Sequence, residues 1–254
     1  MVAGNWKMHL DRHRAVELAN SVHAEVGSHD VGVDVGVFPA FVHLDLVHGA
    51  LHAGLSRIFV GGQDGYMGAE GAFTGEVSMA MLKDVGATAV LVGHSERRHV
   101  IKESEALLRE KTIGGLDAGL TVVLCVGETL EQRERGETDR VNESQIRSAL
   151  AGLDVGRMRD RMVIAYEPVW AIGTGKTATP KDAQDAHARI RSVLGSMFGS
   201  GFAEATRILY GGSVKPENAA ELFACPDIDG GLIGGAALKA AGFAAIVRAA
   251  AGTR

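Results

Sequence analysis

Eight short apolar runs, spaced along the whole chain and separated by helix-patterned segments, leave these 254 residues few ways to fold. The runs are VAGNW from Val2, VDVGVF from Val33, RIFVGG from Arg57, TAVLVG from Thr88, TVVLCVG from Thr121, MVIAYE from Met162, TRILYGG from Thr206 and DGGLIGG from Asp229. Most are too uniformly apolar for half-exposed strands, as expected of parallel strands covered on both faces. Between them, Arg12 to Val26, Ser104 to Ala118 and Pro180 to Leu194 carry helical spacing. Eight βα units come to about 32 residues each, near the minimum for that motif.

Two architectures suit an unbroken βα series, an open doubly wound sheet and a closed barrel. The chain length is typical of the barrel, and closure leaves no edge strand to protect. The expectation is therefore a single (β/α)8 barrel, eight parallel strands inside an outer ring of helices, forming one catalytic domain over residues 1–254. No Pro/Ser-rich linker or charge block breaks the series.

Composition narrows the partners. A net charge of -5 argues against bulk nucleic-acid binding. No apolar run approaches membrane-spanning length, and MVAGNWKMHL lacks the basic head and apolar core of a signal peptide. Cys125 and Cys225 stand a hundred residues apart, outside any CxxC or Cys/His cluster, so neither a disulfide framework nor a structural zinc is expected. A soluble cytoplasmic protein follows, with no nucleic-acid or membrane partner.

On a barrel, chemistry belongs at the carboxyl ends of the strands. Those ends carry Asn5 and Lys7, Gln63 and Asp64, His94 with Ser95 and Glu96, Glu167, the Gly211-Gly212-Ser213 run, and Gly234-Gly235. Any one of them could simply cap the next helix. Glu167 stands out because AYEPVWAIGTGK puts a carboxylate at a strand end and then spends about ten residues before the next helix, a βα loop longer than usual. Thr179 reads as the N-cap of that helix, with Pro180 at its first position.

The glycines exclude several enzyme classes. Gly173 through Ala178 formally fits GxGxxG/A, but Pro168 to Ile172 separates it from the strand and the helix starts after it, so the dinucleotide reading fails. A Walker A loop would need glycine at Trp170, and GHSER lacks the closing glycine of a nucleophile elbow. The paired glycines after the seventh and eighth strands suit backbone amides that hold a phosphate. A small monophosphorylated substrate is the reading that these residues support.

AGNWKM, GAFTGEVS, GHSERR, CVGE, YEPVWAIGTGK, YGGSV and GLIGGAAL occur in this order along the whole chain. In these motifs the sequence resembles the triosephosphate isomerases. The resemblance implies a homodimeric isomerase needing neither metal nor cofactor, which interconverts dihydroxyacetone phosphate and D-glyceraldehyde 3-phosphate through an enediolate. It implies Glu167 as the base, His94 as the electrophile, Asn5 and Lys7 as substrate-orienting groups, and Glu96 as a carboxylate beside Lys7. Gly173, Ser213, Gly234 and Gly235 would bind the phosphate. Pro168, Val169, Trp170, Ala171, Ile172, Gly173, Thr174, Gly175, Lys176, Thr177 and Ala178 would form a lid, latched by Tyr210 and Ser213. Thr74 and Gly75 would reach across a dimer interface. Lid closure and the tuning of carboxylate and imidazole are already established for that family; a helix starting at Ser95 would lower the pKa of His94. His9, Asp64 and Ala237 depart from residues common there, the first two near the expected interface. Two alternatives share the pattern: an isomerase of a four-carbon ketose phosphate, and a non-catalytic sugar-phosphate-binding protein.

Overall fold

The computed structural model describes residues 1–27, 31–172 and 178–253. Among them, eight strands form a closed parallel barrel in chain order: β1 (Val2–Asn5), β2 (Val35–Phe38), β3 (Phe59–Gly62), β4 (Ala89–Val92), β5 (Thr121–Val126), β6 (Met162–Tyr166), β7 (Arg207–Tyr210) and β8 (Gly231–Ile233). Val2 of β1 pairs with Val35 of β2 on one side and with Gly231 of β8 on the other, which shuts the ring. Helices follow the strands around the outside, so the expected (β/α)8 architecture is present.

The apolar side chains divide into two separate clusters. Ala3, Leu91, Cys125, Ala165, Leu209 and Leu232 belong to the smaller one, inside the barrel. Their chain neighbours Val2, Val90, Leu124, Ile164, Ile208 and Ile233 belong to the larger one, between barrel and helices. This is the two-residue alternation of a strand with both faces buried, and it explains why the runs read as uniformly apolar. Carried one step past the apolar stretch, the same alternation puts Asn5 after Ala3, Glu167 after Ala165, Gly211 after Leu209 and Gly234 after Leu232 at the inner rim.

Helix boundaries follow local signals. The Pro180–Phe198 helix opens with Thr179 and Asp182 in a reciprocal capping box and proline in its first turn. The Glu105–Asp117 helix is capped by Ser104. The first helix stops at Val22, short of the expected Val26. Residues His23–Gly27 widen into a π-helical turn, whose Gly27 carbonyl accepts the Arg57 N–H at 3.1 Å on the way into β3. Among the described residues, no helix is long and apolar enough to cross a membrane.

The Pro180–Phe198 helix packs His187 against the outer face of the barrel, edge-on to Tyr166 and beside Tyr210. Its Nδ1 lies 3.1 Å from the Asp227 carbonyl and is therefore the protonated nitrogen. Full burial pushes its pKa down to about 4, against the opposing influence of Asp227 and Asp229. An unfolded histidine binds its proton near pH 6.5, so below that the unfolded state takes up the proton first and stability falls. Between pH 6.5 and 4 this one group should remove about 3 kcal/mol of stability. Urea unfolding across that window should be markedly less pH-dependent in His187→Gln; an unchanged slope would refute the assignment.

Candidate active site

Glu167, the residue after β6, is buried at 2% exposure. Its Oε1 lies 2.9 Å from His94 Nε2, and its Oε2 accepts the Ser95 backbone N–H at 2.8 Å. His94 follows Gly93, whose φ of +73° turns the chain out of β4. It then caps the short Ser95–His99 helix, its Nδ1 accepting the Glu96 N–H at 3.3 Å. An accepting Nδ1 leaves the proton on Nε2, pointed at the carboxylate. The carboxylate at one strand end and the imidazole two strands away thus meet face to face.

Burial pulls the His94 pKa down, but the Glu167 carboxylate, assisted by Glu96, outweighs it, and the net shift is upward. This reverses the lowering expected from the helix start at Ser95: that helix does begin there, but a full negative charge at 2.9 Å exceeds the partial charge of a helix end. Burial likewise raises the Glu167 pKa, while His94 and the Ser95 N–H lower it by more, so the carboxyl is held ionised. The ionised base survives in a dry setting because its two oxygens face His94 Nε2 and the Ser95 backbone N–H.

Asn5 and Lys7 leave β1 toward the same place. The Lys7 N–H donates to Asn5 Oδ1 at 2.9 Å, and its Nζ reaches Glu96 Oε1 at 2.7 Å. A cavity of about 710 Å³ opens here, lined by Asn5, Lys7, His94, Glu167, Ser213, Gly234 and Gly235, with Ile172, His9, Lys215 and Lys239 also at its wall. Glycines make the room. A Cβ at Gly127 would overlap the Glu167 carbonyl, and one at Gly211 would stand 2.9 Å from Glu167 Cγ. At Gly235 a Cβ would meet nothing within 4 Å, so that position leaves open space beside the backbone.

Past Glu167, Pro168, Trp170 and Ala171 are buried, and Val169–Ala171 form a single 3-10 turn. The Trp170 Nε1–H donates to Glu128 Oε1 at 2.8 Å, and the Tyr166 hydroxyl to the same carboxylate at 3.1 Å. Burial raises the Glu128 pKa, against those two donors. Glu128 is not among the expected site residues, although it follows the fifth apolar run in CVGE much as Glu167 ends the sixth. Ser95, expected at the strand end as a helix start, also donates its backbone N–H to Glu167, a contact that GHSERR alone does not signal. The Ala178 backbone N–H lies near the Tyr210 hydroxyl and works to lower its pKa, against the larger upward pull of burial. Gly173, Thr174, Gly175, Lys176 and Thr177, expected in the lid and the phosphate site, lie outside the described residues.

Thr74 and Gly75 are not brought to this cavity. They sit in an exposed loop beyond β3, where Phe73 packs on Tyr66. Asp64, expected near an interface, is 3% exposed and paired within the chain to Lys111 at 2.7 Å and Arg97 at 2.9 Å.

The family model described as triosephosphate isomerase matches residues 1–250. The chain is 50% identical over 250 residues to a triosephosphate isomerase of Chlorobium phaeobacteroides, covering 98% of each protein. It is 48% identical to that of Prosthecochloris aestuarii over 98% of this chain and 97% of the other. To that of Rhodopirellula baltica it is 48% identical, again over 98% and 97%.

If Glu167 holds the His94 pKa up, Glu167→Gln should lower it. Titration of the ring nitrogens by NMR reads this directly, and an unmoved or higher value would contradict the pairing.

Proposed function

The chain belongs to the triosephosphate isomerase family, and from that premise we propose how its cavity isomerises a triose phosphate. The reaction interconverts dihydroxyacetone phosphate and D-glyceraldehyde 3-phosphate. A carboxylate base with an imidazole electrophile is the pairing already established for such enzymes. Here Glu167 removes the proton on the carbon beside the carbonyl, and His94 Nε2–H and Lys7 donate to the oxygens on which the enediolate charge develops. His94 moves the hydroxyl proton from one substrate oxygen to the other while Glu167 returns its proton to the adjacent carbon, so one carbon is oxidised and its neighbour reduced with no external oxidant.

The single observation that carries this reading is the buried 2.9 Å approach of Glu167 to His94 at the wall of one cavity. At this separation the two groups satisfy each other. The sugar inserts between them, so that Glu167 exchanges its His94 and Ser95 partners for the reacting C–H. Asn5 orients the substrate, Glu96 keeps Lys7 at the wall, and Ser213, Gly234 and Gly235 take the phosphate. Pro168 to Ile172 and Ala178 belong to the lid, with Tyr210 and Ser213 as its latch; the Tyr210 contact to Ala178 supports that part.

The working form is a homodimer in this reading. Exposed Met8, Val42, Phe73 and Met81 leave the neighbouring strands β1, β2 and β3, an apolar surface that a second copy would cover. Thr74 and Gly75 lie in the same exposed region and would buttress the partner's site. Both thiols are free, Cys125 buried and Cys225 half-buried, which supports a reducing compartment such as the cytoplasm.

Purified protein in deuterated buffer should wash label into dihydroxyacetone phosphate, and His94→Gln or Glu167→Asp should each lose more than about tenfold in turnover while staying folded. Near-normal turnover in either variant removes that residue's role; binding without label exchange makes the protein a sensor. Sedimentation of Phe73→Asp at micromolar concentration should show monomer where the unaltered chain is dimeric. A variant that stays dimeric would remove this face from the interface.

A further inference from the structure

Lys7 has φ +52°, in the left-handed region that residues with side chains seldom occupy. Such a backbone persists where its surroundings fix it. Two side-chain amides do so here. One is Asn5, which accepts the Lys7 N–H at 2.9 Å. The other is Gln63, the next inward-facing position beyond Phe59 and Gly61 of β3, whose Nε2 donates to the Lys7 carbonyl at 2.8 Å. The same Nε2 donates to the Phe38 carbonyl at the end of β2, also at 2.8 Å. One planar group from β3 therefore ties the exit of β1 to the end of β2.

The brace extends to the Lys7 ammonium. Glu96 holds Nζ at 2.7 Å. Its neighbour Arg97 pairs at 2.9 Å with Asp64, the neighbour of Gln63. Asp64 is pinned in turn by the buried Lys111 at 2.7 Å. The groups holding the two ends of Lys7 are thus linked by the half-buried Arg97–Asp64 pair, which the buried Lys111 anchors. Gln63 itself is not among the residues that line the substrate cavity, so any effect it has on the reaction must pass through what it holds.

We propose that Gln63 is a positioning residue for the isomerisation, clamping the strained Lys7 backbone so that the ammonium is presented to the substrate; this rests on the role given to Lys7 above. A side chain that merely satisfied two carbonyls would add to stability, and its removal would act independently of Lys7. The test is a double-mutant cycle on the full chain. Gln63→Met keeps the length and loses both donors, and it should lower kcat/KM by about 10- to 100-fold. In the Lys7→Ala background the same change should alter kcat/KM by less than about twofold. Losses that multiply independently overturn the inference and leave the role of Lys7 standing. Normal kcat/KM in Lys7→Ala alone removes that role, and this inference with it. Should Gln63→Met fail to fold, Gln63→Glu serves instead. Ionised, it faces two carbonyls without a donor; protonated, it regains one. Its activity relative to the unaltered protein should recover as pH falls through the carboxyl titration, and a flat ratio overturns the inference.

Discussion

Ring closure is the constraint on which everything else depends. Because β8 pairs with β1 through Val2 and Gly231, the carboxyl ends of all eight strands lie on one rim, and residues far apart in sequence become neighbours. Asn5 and Gly234 share a cavity wall although most of the chain lies between them. An open sheet of the same strands would leave β1 and β8 with unpaired edges and would scatter these groups along a crevice. Closure also fills the barrel with small and branched side chains such as Ala3, Ala165 and Leu209. The first polar inward positions therefore appear only where the apolar stack ends.

The rim carries buried charge, and the fold contains it by pairing. Glu167 is ionised against His94 and the Ser95 amide. Asp64 and Glu103 surround the Lys111 ammonium, with Arg97 bridging both carboxylates. Breaking such a pair would strand a charge in a poorly solvated interior, which costs far more than an exposed ion pair is worth. The His94 pKa illustrates why these groups cannot be read singly. The helix end acts in one direction and the facing carboxylate in the other, and distance decides between them. A substrate that separates Glu167 from His94 would remove the raising influence, leaving burial and the helix end to favour the neutral imidazole.

Much of the site was legible because its signals are local. Glu167 was marked by a carboxylate ending an apolar run ahead of a long loop, and Thr179 by the capping pattern at a helix start. Glu128 carried nearly the same strand-end signal but was missed, since its partners, Tyr166 and Trp170, are contributed by the following βα unit. Asp64 shows in the sequence only as a departure near the expected interface; that its carboxylate is paired inside the chain depends on Lys111, 47 residues on. The first helical segment is legible to Val26 because its period runs on through the π-helical turn, but the widening that turns the Gly27 carbonyl to Arg57 is not.

The amino-acid order alone fixed the strand count, the barrel class, the helix caps and the identity of the polar residues at each strand end. All of these rest on interactions between residues close in sequence or on the two-residue alternation along a strand. Tertiary structure decided which of those polar groups meet, which charges are neutralised and how far each titration is displaced. A Coulomb energy depends on separations between strands and on exclusion of water, and neither exists until the ring has closed.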